Sequence, residues 1–146
     1  SFEAGFASKN IQLSISCEDE YTQILGDNLR IKQVINNLLS NALKFTEKGT
    51  ISLILRCDRE AEILCARVVD TGIGMKPEQL ERLFDPFAQG STAISRQYGG
   101  TGLGLAISHD IIKKHKGTIE VKTQINEGTE FLLTLPRVLH TDIYET

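Results

Sequence analysis

The order of apolar and polar positions predicts most of the regular structure of this 146-residue chain. Ile11 to Ile15 alternates apolar with polar residues, which is typical of a half-buried strand. From Asn28 to Phe45 apolar residues recur every three or four positions, which predicts a helix with one buried face, and Asp27 is its expected N-cap. The residues of that face are Ile31, Val34, Ile35, Leu38, Ala42 and Phe45. The acidic residues from Glu18 to Glu20 predict a turn between the strand and this helix.

The middle of the chain predicts a hairpin followed by a short helix. Two apolar runs, Ile51 to Cys57 and Ile63 to Val69, are separated by five mostly charged residues, and we expect them to pair as antiparallel strands. Lys76 to Phe84 predicts a short helix with Pro77 in its first turn.

The last third of the chain predicts one more helix and one more hairpin. We expect the helix to begin near Gly102, to reach the cationic or polar residues 113–115, and to end at Gly117. Thr118 to Lys122 and Thr129 to Leu135 then predict two strands joined by a tight turn.

Composition and charge narrow the function. The chain has the length of one domain, and its 16 basic and 19 acidic residues give a net charge of −3, so neither nucleic acid nor an anionic membrane is an expected partner. No apolar run approaches the ~18–20 residues of a membrane span. Cys17, Cys57 and Cys65 lie in apolar runs without zinc-type pairing, so we expect reduced core cysteines in a cytoplasmic domain. The three histidines show no metal-binding spacing and are interpreted as structural or solvated.

A glycine-rich stretch, Tyr98 to Ile107, leads directly into the last predicted helix. Its four glycines leave backbone N–H groups free to approach a phosphate, and the positive end of the helix adds to the attraction. The stretch lacks the Gly-Lys-Ser/Thr ending of a P-loop and the third glycine of a dinucleotide-binding fingerprint. A plain turn is the alternative. The preceding residues 88–97 are small and polar, and we expect them to form a mobile lid.

Polar residues also line one edge of the first long helix. Asn37, Asn41 and Lys44 fall within about 60° of one another at ~100° per residue. Amide oxygens suit Mg²⁺ and a lysine ammonium suits phosphate, so the stripe is a candidate magnesium and phosphate site. A solvated helix face is the alternative.

The second strand of the first hairpin ends at Asp70, in the sequence Asp70-Thr-Gly-Ile-Gly74. An aspartate before glycine is often only a turn former. In a pocket, however, its carboxylate can accept a hydrogen bond from the amino group of adenine.

These motifs together resemble the ATP-binding catalytic domain of sensor histidine kinases, including hybrid ones, within the GHKL group of ATPases. Asn37 to Thr46 resembles the N box, Asp70 to Met75 the G1 box, Phe84 to Phe87 the F box and Gly100 to Gly104 the G2 box. The resemblance covers roughly residues 8 to 137.

The resemblance implies an α/β (α+β) fold, a two-layer sandwich of a mixed, mainly antiparallel sheet and three helices, with the nucleotide between the helices and the lid. It implies ATP and Mg²⁺ as cofactors, with Asn41 as the metal ligand and Asn41 and Lys44 as the catalytic residues, while Asp70 accepts the adenine amine. The other residues implied in nucleotide binding are Asn37, Phe45, Gly72, Gly74, Phe84, Phe87, Arg96, Gly100, Thr101, Gly102, Leu103 and Gly104.

The implied function is transfer of the γ-phosphoryl group of Mg·ATP to a histidine on a separate dimerisation domain of the same parent, with a response-regulator receiver domain as an indirect partner. In this family the acceptor histidine is usually followed by an acidic residue; only His109 precedes one here, and it falls in the helix after the glycine loop. We therefore expect residues 1–10 to be a linker from a missing domain, 11–137 the catalytic domain and 138–146 a tail. The parent can be a membrane-bound sensor. The alternatives are a degenerate nucleotide-binding or interaction module, and a serine/threonine kinase or ATPase of the same fold.

Overall fold

A single five-stranded sheet forms one layer of the protein, whose computed structural model describes residues 10–85 and 102–138. The strand order is β1-β2-β3-β5-β4. β1 pairs parallel to β2, and every other neighbouring pair is antiparallel. The strands are β1 (Ile11–Cys17), β2 (Gly49–Asp58), β3 (Ile63–Asp70), β4 (Thr118–Gln124) and β5 (Gly128–Pro136). Both predicted hairpins and the mixed, mainly antiparallel sheet are confirmed.

Helices cover one face of this sheet. The described residues contain α1 (Asp19–Leu25), α2 (Leu29–Phe45), α3 (Pro77–Glu81) and α4 (Gly102–Lys114). Alternate residues of the strands point towards the helices and are buried, as in β5, where every second residue from Thr129 to Leu135 is buried. The core between the layers includes Ile31, Val34 and Leu38 of α2, Ile111 and Ile112 of α4, and Leu64, Val68, Phe131 and Leu133 of the sheet.

Helix α1 replaces the acidic turn expected at residues 18–20. Asp19 and Glu20 form its first turn, where their charges favour the positive end of a helix. The side chain of Tyr21 is completely buried and holds the helix against the core. Ile24 and Leu25 also pack against the core, but three apolar positions in a seven-residue helix are too few to establish a helical period, which is why the pattern did not show it.

The N-cap of α2 is Asn28, so the expectation that Asp27 caps this helix is wrong. The Oδ1 atom of Asn28 accepts a hydrogen bond from the backbone N–H of Ile31 at 3.1 Å. Because α2 begins at Leu29, this is the N3 N–H that a cap residue normally satisfies. Asp27 lies one residue too early for that role.

Helix α4 ends in a different way from the one the sequence suggested. Lys116, not Gly117, has the left-handed conformation, with φ of 65°. The N–H of Gly117 donates to the carbonyl of Ile112 at 2.9 Å and that of Lys116 to Lys113 at 3.0 Å, the two bonds of a Schellman motif. Glycine is required at 117 for space, because a Cβ there would collide with the carbonyl oxygen of Thr134.

Two further expectations need correction. Helix α3 spans Pro77–Glu81 instead of residues 76–84, with Lys76 as its N-cap. The cysteines are free thiols, but Cys17 is exposed and Cys65 is half-buried away from the core; only the half-buried Cys57 packs against the core. Cys17 ends the edge strand β1, and Cys65 alternates with buried residues on the outer face of β3.

The edge strand β1 is the least covered part of the sheet. Ile15 points towards the helical layer but is 60% exposed. The strand has no neighbour on its outer side among the described residues. No helix in the described ranges has the length and hydropathy needed to cross a bilayer.

Candidate functional site

The polar stripe of α2 faces α4. Asn37, Asn41 and Lys44 are all half-buried, as a site wall would be and a fully solvated helix face would not. The side-chain amide of Asn37 donates to the Oγ of Ser108 on α4 at 3.1 Å, and Ser108 is completely buried. The side chain of Asn41 makes no hydrogen bond with another residue in the described ranges, so its amide oxygen can meet a ligand.

Asp70 is the last residue of β3 and is buried, with 4% of its surface exposed. The backbone N–H of Gly72 donates to its Oδ1 at 2.8 Å. Burial raises the pKa of the Asp70 carboxyl, whereas hydrogen bonds from the N–H groups of Gly72 and Thr129 lower it. The site therefore contains a nearly dry carboxyl group that main-chain donors hold in place.

The loop after Asp70 packs against the C-terminal end of α2. The N–H of Ile73 donates to the carbonyl of Phe45 at 3.1 Å. Gly72 lies so close to the same carbonyl that a Cβ would collide with it. This contact explains the first glycine of the motif and places Asp70 beside the helix that carries Asn41 and Lys44.

The other side of this loop is held by the β4–β5 hairpin. Gly74 has φ of 71°, and a Cβ on it would collide with the carbonyl of Gln124. The N–H of Asn126 donates to the carbonyl of Ile73 at 2.8 Å, and the N–H of Met75 donates to the hydroxyl of Thr123, also at 2.8 Å. Both glycines are thus required by close approach to the protein's own backbone, and their contact with a nucleotide stays a prediction.

Phe84 connects the chain after α3 to helix α4. Its ring stacks on that of His109 with 5.0 Å between ring centroids and an interplanar angle of 30°. His109 thus packs within the fold. His115 is completely buried, with Nδ1 2.9 Å from the carbonyl oxygen of Ile111, and is also structural.

Part of the predicted site lies outside the described residues. This holds for Phe87, Arg96, Gly100, Thr101, the predicted lid at 88–97 and His140. Gly102, Leu103 and Gly104 form the first turn of α4. The helix therefore begins at Gly102, as predicted, and its positive end lies at the glycine-rich stretch.

Sequence reasoning missed three buried residues with hydroxyl groups, Thr46, Ser108 and Thr129, and the half-buried Thr123. Thr46, Ser108 and Thr129 are at most 6% exposed, and Thr123 Oγ1 lies 2.9 Å from Thr129 Oγ1. A signal existed for Thr129, because it occupies a core position in the alternation of β5. A polar residue at such a position indicates a specific partner.

A second cluster of potential ligand atoms lies at the junction of β1, α1 and β2. Among the described residues, Glu18, Glu20 and Cys57 bring ligand atoms within 4.8 Å of one another. Both oxygens of Glu20 are already paired, one with Arg59 at 2.8 Å and the other with Arg137. Because two guanidinium groups are paired with this carboxylate, we interpret the cluster as a structural ion-pair network and not as a metal site.

Comparison with known proteins identifies relatives of this architecture. Residues 26–139 match the family model described as "Histidine kinase-, DNA gyrase B-, and HSP90-like ATPase". The chain is 44% identical over 128 residues to the sensor histidine kinase RcsC of Salmonella typhimurium and 37% identical over 134 residues to the autoinducer 2 sensor kinase/phosphatase LuxQ of Vibrio harveyi. These matches cover 86% and 88% of this chain but only 13% and 16% of the two relatives, so the chain spans a small part of their length.

Two solved structures are similar to the chain. The nucleotide-free catalytic domain of histidine kinase ThkA matches with a TM-score of 0.74 and 31% identity, over 93% of this chain and 85% of that one. Full-length ShkA in complex with AMPPNP matches with a TM-score of 0.76 and 28% identity, over 94% of this chain and 28% of that one.

Proposed function

Because the chain belongs to the family of histidine kinase-, DNA gyrase B- and HSP90-like ATPases, we propose that it binds Mg·ATP and donates the γ-phosphoryl group to a histidine on a separate dimerisation domain of a sensor kinase. The relatives named as sensor kinases and the AMPPNP complex of ShkA support this proposal. A receiver domain then takes the phosphoryl group indirectly, through that histidine.

One observation carries the proposal. The buried carboxyl group of Asp70 is held beside the end of α2 by the contacts of Gly72 and Ile73 with Phe45. An ionised carboxylate only accepts hydrogen bonds, so it selects a base edge that carries an amino group, as adenine does. Phe45, Gly72 and Gly74 then border the base.

The stripe of α2 and the start of α4 form the phosphate side of the proposed site. The donor set fits Mg²⁺, since the amide oxygen of the half-buried Asn41 is a hard ligand. Mg²⁺ supplies neutralisation of phosphate charge when bound. Lys44 and the N–H groups at the start of α4 stabilise phosphate oxygens, and Asn37 positions the helix pair through Ser108.

The remaining assigned residues complete the proposed site. Gly100, Thr101, Gly102, Leu103 and Gly104 provide main-chain contacts to the phosphates. Phe84 and Phe87 anchor the lid, and Arg96 contacts a phosphate.

Catalysis in this proposal consists mainly of positioning and charge neutralisation. The chain's residues hold ATP with its γ-phosphoryl group towards the partner domain and exclude water. The attacking imidazole and any general base belong to that domain, because the described histidines His109 and His115 pack within the fold. Residues 11–137 are the catalytic unit, 1–10 the linker and 138–146 the tail in this assignment.

Calorimetric titration with a non-hydrolysable ATP analogue, with and without Mg²⁺, tests the proposal. We expect saturable binding that Mg²⁺ strengthens. Asn41→Ala should remove the Mg²⁺ effect, while Asn36→Ala, an exposed neighbour on the same helix, should retain it. A retained Mg²⁺ effect in Asn41→Ala would reassign the metal ligand.

Transfer of the phosphoryl group needs its own assay. The domain is incubated with labelled ATP and a supplied dimerisation domain of a sensor kinase, and acid treatment then distinguishes acid-labile phosphohistidine from a stable phosphoester. Labile label on the partner supports the proposal. Nucleotide binding without transfer indicates a degenerate module, and no binding by the folded domain contradicts the proposal altogether.

A further inference from the structure

Thr46 follows α2 directly and is completely buried. Its hydroxyl oxygen has no hydrogen-bond partner of standard geometry among the described residues. A buried hydroxyl without a partner costs free energy, and most such groups in folded proteins are paired. We therefore expect a polar group next to the Thr46 hydroxyl with which it can interact.

The hydroxyl lies beside the main chain that holds Asp70. A Cβ built on Gly72 would be 2.7 Å from Thr46 Oγ1, and the N–H of the same glycine donates to Asp70 Oδ1 at 2.8 Å. The Thr46 hydroxyl also lowers the pKa of the Asp70 carboxyl, against the larger effect of burial. The hydroxyl is therefore close enough to the carboxylate to act on it.

The number of hydrogen bonds that a carboxylate can accept is limited, so each donor restricts where a further one can bind. A carboxylate offers about four lone-pair sites. The N–H groups of Gly72 and Thr129 use two of them, and the Thr46 hydroxyl would use a third. One acceptor site then remains, and its direction is set by the other three bonds.

We propose that Thr46 is a positioning residue for base recognition, whose hydroxyl holds Asp70 so that a single acceptor site meets the amino group of a 6-aminopurine nucleotide. This inference rests on the proposed function. A 6-oxopurine presents an acceptor at the same place and is repelled by the carboxylate.

Three variants test the inference. Thr46→Val removes the hydroxyl at nearly constant volume, and Thr46→Ser keeps it. Thr134→Val makes the same change in β5, far along the strand from Thr129, where the Thr134 hydroxyl hydrogen-bonds with that of Thr118. Calorimetry measures the affinity of each variant for non-hydrolysable ATP and GTP analogues and for inorganic triphosphate.

We expect Thr46→Val to bind the ATP analogue about tenfold more weakly. The ratio of its affinities for the ATP and GTP analogues should fall, while its affinity for inorganic triphosphate should not change. Thr46→Ser should bind within about twofold of the wild type, and Thr134→Val should match the wild type. Equal losses in Thr46→Val and Thr46→Ser would show that the methyl group matters and would overturn the inference, as would unchanged binding in Thr46→Val.

An NMR titration of the Asp70 carboxyl without nucleotide separates this inference from the proposed function. Loss of a donor to the ionised form should raise the pKa of Asp70 in Thr46→Val but not in Thr46→Ser. The same pKa in all variants would overturn the positioning role even if ATP binds. Failure of the wild type to bind ATP, with the pKa difference present, would instead contradict the proposed function.

Discussion

Asp70, the residue proposed to bind the base, lowers the stability of the fold when its carboxyl group is ionised. Its carboxyl group is 4% exposed, and burial raises its pKa above the ordinary value of 3.8. The ionised form is the one that accepts a hydrogen bond from a base, yet it is the form that burial destabilises. If Asp70 binds the base as proposed, its ionisation should lower the free energy of unfolding and raise the affinity for nucleotide.

This opposition predicts the pH dependence of stability. Between pH 3.8 and the raised pKa the folded state binds more protons than the unfolded state, so stability falls as pH rises through this window. Asparagine cannot ionise, so the free energy of unfolding of Asp70→Asn should lack this fall with rising pH. Urea denaturation at several pH values measures the effect.

The same variant should bind ATP about ten- to a hundredfold more weakly, because an amide group can face the base amine with a donor. Glu127→Gln, at an exposed position of the β4–β5 turn, is the control that should change neither property. An Asp70→Asn protein whose stability falls with rising pH as steeply as that of the wild type would contradict this account.

At the scale of elements, the start of α2 and the end of α4 meet at one residue. Asn28 caps α2 through its Oδ1, and its Nδ2 lies 3.5 Å from Nε2 of the buried His115. Asn28→Ala should lower the free energy of unfolding by about 1–2 kcal/mol, whereas Asp27→Ala should change it by less than ~0.5 kcal/mol. Equal effects in thermal or urea denaturation would return Asp27 to the role of cap.

The sequence predicted those elements that repeat a period over several residues. The apolar runs of β2 and β3, the pattern of β5 and the buried stripe of α2 are visible without any partner. Helix α1 is short and held mainly by the buried Tyr21, and the end of α4 depends on the space beside Thr134. Such features arise from contacts between distant segments and leave no local pattern.

The candidate site divides in the same way. Asn37, Asn41, Lys44 and Asp70 could be named from residue chemistry and from the resemblance to the kinase family. Thr46 could not, because its importance comes from the packing of Gly72 against the end of α2. Thr129 showed only a polar residue at a core position, and its role depends on the register that sets it opposite Asp70.

At the scale of the whole molecule, the candidate site is assembled from both halves of the chain. The stripe on α2 and Asp70 on β3 come from the first half, and α4 and the β4–β5 hairpin from the second. The hairpin contacts the Asp70 loop through Thr123, Gln124 and Asn126. The site therefore requires every strand of the sheet apart from the edge strand β1.

That edge strand has a separate consequence for how the molecule opens. β1 pairs with one neighbour only, and α1 and α2 lie between it and β2 in sequence. Closing this parallel pair needs a long loop, so we expect β1 to join last during folding and to detach first from the native state. In hydrogen–deuterium exchange, amides of β1 should lose protection well before those of β3, and added nucleotide should slow exchange in β3 and α2 but not in β1. Equal protection of β1 and β3 would show instead that the sheet opens as one cooperative unit.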